Sequence, residues 1–321
     1  MSLPMGRAMR EVFGETVTEL ADHDSRIVML DGDLGVSTRG EIFQRAHPER
    51  YLQMGIAEQD MLGVAAGLAS VGLIPFISTF VAFAVVRPLD QIRVLIAQTG
   101  LNVKITAGYA GLFVARAGKS HQIVDDIAIM RAMPGMITIA PADDVEAGLV
   151  LRWAAAHDGP VYVRLVRDPT QRLFGPDHAF EIGRAPVVRE GRDVTLISTG
   201  SETPRVVDAA ELLAAAGIDA HVLHVATLKP LDVAGIVAAA DRTGLVVTVE
   251  EHTVIGGLGG AVAEVLAEHR PTRMRRIGLE DEFGESGPND ALLDRFGLSA
   301  PRVAARVAEI VATIGGGRPP G

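Results

Sequence analysis

Glu58 is the side chain from which chemistry is most readily read. It sits in Met54-Gly55-Ile56-Ala57-Glu58-Gln59-Asp60, ahead of a stretch, 61–86, with no charged residue. A helix beginning near Ala57 sets Glu58 on one face with Met61, Leu62 and Ala65, by i, i+3, i+4, i+7 spacing. A carboxylate on such a face needs a partner, because an isolated buried charge is too costly to keep ionised. The plain reading is a helix-N-terminal glutamate, half exposed and stabilised by the helix dipole. The chemical reading is an acid group kept from water for proton work. His121, at an expected loop–helix junction, is the second candidate, against the commoner role of a hydrogen-bonding histidine. Phe80 and Phe83, at i, i+3, suit either a core or a platform for a ligand ring.

Other motifs carry less. Gly32-Asp33-Leu34 invites comparison with a Gly-Asp-Gly diphosphate–magnesium motif, but the third glycine is missing and the chain's first asparagine is Asn102, so no magnesium site is expected there. Gly256-Gly257-Leu258-Gly259-Gly260 precedes a helix and reads as a tight turn rather than an anion cradle. His252, after Glu250-Glu251, reads as a surface or domain-contact residue. His-x-Glu-x-x-His, Gly-x-Ser-x-Gly and P-loop patterns are absent.

The elements that must position these residues follow from periodicity. A helix is expected over 7–21, a buried strand at 27–30 opening into the Asp31–Gly35 loop, a helix over 57–70 and a strand at 73–78. Phe80 and Phe83 share a helical face, with Arg87, Asp90 and Arg93 beyond. A strand at 103–107 leads into a long loop, 108–120, and strands follow at 136–139 and 161–165. A second alternation has strands at 194–199, 221–226, 245–249 and 275–279, with helices between and after them. Strands alternating with helices imply an α/β fold of parallel sheets, with ligands at the carboxyl ends of the strands. Asp168-Pro169 and Gly175-Pro176 mark a break, giving a first domain over 1–170, a linker over 171–190 and a smaller, mostly parallel second domain over 191–321. The tail, 315–321, is expected to be disordered.

With 321 residues, 48% hydrophobic but only 4% aromatic, the two cores are aliphatic. A net charge of −10 argues against nucleic acid or an anionic membrane as partner. There is no cysteine, hence no disulfide and no thiolate chemistry. The amino terminus shows no cleavable signal pattern, and a cytoplasmic location is expected. Gly72 and Pro75 cut the uncharged run into pieces too short to span a bilayer, which points instead to burial in the domain or across a subunit interface.

Taken in order, Asp33-Leu34…Ser37, Gly55-Ile56-Ala57-Glu58-Gln59, Ser78-Thr79-Phe80…Phe83, Gly118…Ser120-His121-Gln122, Pro141-Ala142-Asp143, Gly159-Pro160…Arg164, Leu228-Lys229-Pro230-Leu231-Asp232 and Val249-Glu250-Glu251-His252 resemble the carboxyl-terminal half of the transketolase family. The resemblance covers roughly 5–312. It implies a pyrimidine-binding domain followed by the family's C-terminal domain, without the diphosphate-binding domain, as one subunit of a split transketolase. It also implies thiamine diphosphate as cofactor and magnesium on ligands of a partner subunit.

By that resemblance Glu58 hydrogen-bonds a ring nitrogen of the aminopyrimidine and promotes its imino tautomer. Ile56, Phe80 and Phe83 lie at the cofactor, while Val86 replaces a tyrosine of the family platform. His121 lies near the substrate carbonyl. Ser37, Arg7, and Arg164 or Arg167 match sugar-phosphate positions, and Tyr109 stands where a phosphate-contacting histidine is common. Ala117 replaces an aspartate that contacts donor hydroxyls, and Arg116 and Lys119 make an acidic loop basic, which suggests an acidic or modified substrate. The activity implied is transfer of a two-carbon ketol (or acyl) unit from a ketose or 2-oxo-acid donor to an aldehyde. It would require the amino-terminal-half subunit, in a two-fold heterotetramer, and the isolated chain would be inactive. The alternatives are the β subunit of a 2-oxo-acid dehydrogenase or decarboxylase, and a catalytically silent scaffold.

Overall fold

A computed structural model describes residues 3–314; the tail 315–321 lies outside the described residues. Ile27-Val28-Met29-Leu30 is buried along its whole length, the pattern of a strand covered by helices on both faces. The strands of the first half are β1 (Met5–Ala8), β2 (Ile27–Asp31), β3 (Tyr51–Gln53), β4 (Ile74–Ser78), β5 (Lys104–Ala107), β6 (Ile137–Ile139), β7 (Val161–Arg164) and β8 (Pro169–Gln171). Those of the second half are β9 (Val187–Arg189), β10 (Val194–Ser198), β11 (Ala220–His224), β12 (Thr227–Lys229), β13 (Leu245–Thr253) and β14 (Arg273–Leu279).

The larger sheet has the order β12-β6-β7-β5-β4-β2-β3, parallel throughout except at β12. The smaller is β14-β13-β10-β11-β9, parallel except for the edge strand β9. The expected α/β architecture therefore holds, with one antiparallel edge strand in each sheet. β12 comes from the second half of the chain yet pairs with β6 of the first, tying the halves by backbone hydrogen bonds. β8 pairs antiparallel with β1, and β9 closes the second sheet, so the expected linker is anchored at both ends.

Two boundaries differ from expectation in ways that move candidate residues. The first helix is Met9–His23 and 5–8 are strand, which takes Arg7 off the helix face. The helix expected to begin at His121 is Asp126–Ala132. Ile123 forms an isolated antiparallel bridge with Gly111, and that extended conformation is incompatible with a helical turn at 121–123.

The uncharged run forms the helix Glu58–Ser70 and strand β4. Met61, Leu62 and Ala65 are fully buried against the sheet, and burying one such leucine stabilises by about 1.5–3 kcal/mol. Among the described residues no helix is long and apolar enough to cross a membrane.

Candidate active site

Glu58 opens its helix, where unpaired N–H groups and the dipole favour negative charge. It is only 3% exposed. Both carboxylate oxygens accept from Arg87 Nη1, at 3.0 and 2.8 Å. The Arg87 guanidinium lies 4.0 Å above the Phe83 ring centroid, and Gln59 Nε2 donates to the Arg87 carbonyl at 3.1 Å. The partner that a buried Glu58 requires is thus an arginine stacked on one of the candidate platform aromatics. Sequence reasoning noted Arg87 only as lying beyond that aromatic pair.

Phe80, Phe83, Tyr109 and His121 meet at the carboxyl ends of β4 and β5. Phe80 and Phe83 stack at 5.7 Å between centroids, and His121 stands edge-on to Phe83 at 5.3 Å and to Phe80 at 6.1 Å. Ser120 Oγ lies 2.9 Å from His121 Nδ1. Phe80 is buried, one face covered by Tyr109 at 3.7 Å, which leaves half-buried Phe83 as the accessible ring. Tyr109 has φ +65°, a strained conformation for a bulky residue. The Phe80 stack and a hydrogen bond from its hydroxyl to the Ser37 carbonyl, at 3.3 Å, hold it there.

Beside Tyr109 is a cationic corner. Arg10 Nη1 donates to the Ser37 carbonyl at 3.2 Å and to the Tyr109 hydroxyl at 3.3 Å, while Arg10 Nε is buried without a partner among the described residues. Arg167, ion-paired to Asp168, lies 5.5 Å over the Tyr109 ring. Asp31, fully buried at the end of β2, shapes the neighbouring loop. Its Oδ1 accepts from the Leu34 and Gly35 N–H groups at 2.9 and 3.1 Å, and its Oδ2 from Ser78 Oγ at 2.8 Å.

Several expected site residues stand elsewhere. Arg7 binds Glu15 at 2.6 Å, and Arg10, not Arg7, is the arginine in contact with Ser37 and Tyr109. Arg164 is buried, its Nε on Asp126 at 2.8 Å and its Nη2 on the Glu251 carbonyl at 3.0 Å, and it is not free to meet a substrate. Ile56 is 73% exposed and makes no part of the aromatic cluster. Lys119 is compensated by Glu285 at 2.9 Å, whereas Arg116 has no ion pair among the described residues. The glycine-rich turn at 256–260 does hold an anion, but an internal one. Glu250 accepts from the Leu258 and Gly259 N–H groups at 2.7 and 2.8 Å at the head of helix Leu258–His269. His252 is fully buried rather than at the surface, its Nε2 3.4 Å from the Ala128 N–H, and so serves the contact between the halves.

The chain matches two protein families in succession: transketolase, pyrimidine binding domain, over residues 5–171, and transketolase, C-terminal domain, over 183–303. It is 45% identical over 306 residues to a putative transketolase C-terminal section from Methanocaldococcus jannaschii, covering 94% of this chain and 96% of that protein. It is 42% identical over 302 residues to a 6-deoxy-6-sulfo-D-fructose transketolase subunit from a Clostridium species, covering 94% of each. Among solved structures it is similar to a split-gene transketolase described as an inactive beta4 tetramer, with a TM-score of 0.87, 46% identity, and coverage of 96% of this chain and 99% of that one. Two family models that together span most of the chain, and relatives matched over nearly their full length, show that it belongs to the transketolase family, as a split transketolase-like subunit.

Proposed function

We propose that this chain is the pyrimidine side of a thiamine-diphosphate-dependent enzyme that transfers a two-carbon ketol (or acyl) unit between carbonyl substrates. The observation that carries the reading is Glu58, a carboxylate almost excluded from water beside an accessible aromatic ring. With the half-exposed Arg87 side chain displaced, that donor set fits an aminopyrimidine: a charged acceptor for a ring nitrogen, and Phe83 to pack on the ring face. Thiamine diphosphate, when bound, supplies the carbanion chemistry of the reaction.

The chain's own residues do the rest. Glu58 holds or releases a proton at the ring nitrogen. His121 donates to or accepts from the substrate's carbonyl oxygen. Phe80, Phe83 and Tyr109 keep water from that corner. Arg10 and Arg167, with Ser37, take the anionic end of the substrate. A relative named for 6-deoxy-6-sulfo-D-fructose supports a sulfonate as one such end, a phosphate being the other.

Among the described residues no group of three or more His, Cys, Asp or Glu is placed to hold a metal ion. Magnesium and the diphosphate are assigned to an amino-terminal-half partner, in a two-fold heterotetramer. The division into 1–170, 171–190 and 191–321 belongs to the same proposal, supported by the two family matches. A cytoplasmic location is proposed on the cysteine-free composition.

The test is reconstitution with a partner carrying Gly-Asp-Gly and a downstream asparagine. Thiamine-dependent ketol transfer from xylulose 5-phosphate or 6-deoxy-6-sulfofructose, appearing only in the complex and lost in Glu58→Gln, is expected. Turnover by the pure chain alone, or full activity of Glu58→Gln, refutes the reading.

A further inference from the structure

His121 stands on a loop that the first half of the chain does not hold by itself. Leaving β5, the chain turns at Gly111, whose φ is +66°. Here Glu251, at the far end of β13, reaches across from the second half, and its Oε1 accepts from the Leu112 N–H at 2.6 Å. The approach is so close that a Cβ on Gly111 would lie 2.3 Å from that oxygen. Only glycine suits both the dihedral and the space. The other carboxylate oxygen of Glu251 is fixed by Arg205 Nη2 at 3.2 Å and Ser201 Oγ at 3.4 Å, and Arg205 lies 4.9 Å over the Phe113 ring. Glu251 is 2% exposed, so this bond is made without competition from water.

From Leu112 the constraint passes to His121 through five contacts. Gly111 bridges Ile123, closing the loop on itself. Gln122 Nε2 donates to the Leu112 carbonyl at 3.3 Å and to the Glu285 carbonyl at 2.9 Å. Lys119 pairs with Glu285 at 2.9 Å, and Ser286 Oγ donates to the Arg116 carbonyl at 2.7 Å. The loop is therefore pinned from two segments of the second half, the end of β13 and the 285–286 turn, on either side of His121.

We infer that the second half of this chain serves the active site by setting the conformation of the 111–123 loop, with Glu251 and Gln122 as positioning residues for His121. The inference rests on the reading of His121 as a substrate-side group. It gives the C-terminal domain a role in the chemistry although, among the described residues, none of its aromatic side chains joins the cluster around His121.

Amide hydrogen exchange on the full chain, alone and with its partner, tests this with Glu251→Ala, Glu251→Gln and Gln122→Met. Removing the Glu251 carboxylate, with its bonds to Leu112, Arg205 and Ser201, in Glu251→Ala should speed exchange over 112–123 by about tenfold or more, with β10 and β13 unchanged. Glu251→Gln keeps an acceptor for Leu112 and should stay within about threefold of wild type. Gln122→Met should loosen the same segment, and decides the matter should Glu251→Ala fail to fold. In the complex, Glu251→Ala should lower kcat about tenfold while the Kd for thiamine diphosphate holds, a split that general destabilisation would not produce. Unaltered loop exchange, or equal acceleration in β10 and β13, overturns the inference. A complex without thiamine-dependent turnover would instead count against the functional reading, because loop exchange is measured without any reaction.

Discussion

Arg87 grips both oxygens of Glu58 while its guanidinium carbon lies 4.0 Å over the centroid of the Phe83 ring. One guanidinium thus partners Glu58 and caps the ring beside it. Its side chain is 44% exposed against 2% for Glu58, so water can partly replace it. Arg87→Ala should therefore destabilise the chain by only about 1 kcal/mol, as for a half-exposed pair, rather than by the larger penalty of a stranded buried charge. Glu58→Gln keeps the shape, and its stability in urea should stay within about 1 kcal/mol of wild type, while the complex loses at least about a hundredfold in kcat. Parallel losses of stability and turnover in Glu58→Gln would contradict this assignment.

Arg10 and Arg7 offer a sharper contrast. Arg10 lies against Ser37 and Tyr109, whereas Arg7 holds Glu15 at the surface. Replacing Arg10 by alanine should raise KM for an anionic ketose about tenfold to a hundredfold, with kcat less affected. The same change at Arg7 should leave both constants within about twofold, because exposed ion pairs contribute little. Steady-state kinetics on the complex decides it, and equal effects at the two positions would refute the assignment.

That contrast also shows where sequence reading stops. That Glu58, Phe83 and His121 stand in one corner was legible because each lies inside a contiguous motif whose spacing survives folding. Arg10 was not, because choosing between it and Arg7 depends on whether 5–8 is strand or helix, and β1 exists only through its pairing with β8, some 160 residues away. Arg164 misled for a related reason. An arginine at the carboxyl end of a strand resembles a ligand residue until Asp126, on a helix elsewhere, is seen to claim it. The parallel sheets were readable from continuous apolar runs such as 27–30 and 74–77. The three-residue edge strands β9 and β12 carry no comparable pattern and are formed by tertiary pairing alone.

Two buried glutamates should leave opposite marks on stability against pH. Glu202 is raised to about 7, chiefly by burial, with Glu251 adding to the effect and Arg205 opposing it. An acid raised in the folded state binds its proton longer there than in the unfolded chain. Its contribution is thus full below about 4.5 and is lost as pH rises through about 7, amounting to at most about 3 kcal/mol. Burial would also raise Glu146, but His224, His178 and the Ala142 N–H outweigh it and hold it down to about 2. Its contribution is present above about 4.5 and fades as pH falls toward 2. Urea unfolding of wild type against Glu202→Gln should show a difference that changes between pH 5 and 7, whereas Glu146→Gln should differ most at neutral pH and converge with wild type in acid.

The helix that begins at Glu58 bears on assembly as well. Gly63 and Gly67 lie one turn apart, and a Cβ at either would meet nothing within 4 Å. Glycine inside a helix costs about 0.5–1 kcal/mol relative to alanine, and nothing inside this chain needs the space. Nearby, Ile56 and Val86 are 73% and 51% exposed. A closely approaching second subunit accounts for both the small residues and the uncovered apolar ones. On that view Gly67→Ala should stabilise the isolated chain by about 0.5–1 kcal/mol in urea. Gly67→Phe should leave the isolated chain folded but weaken its assembly with the partner by about a hundredfold or more, because an aromatic ring cannot be accommodated where backbones meet. Sedimentation velocity on the mixed subunits measures this directly. Undiminished assembly of Gly67→Phe would place the interface on another face of the molecule.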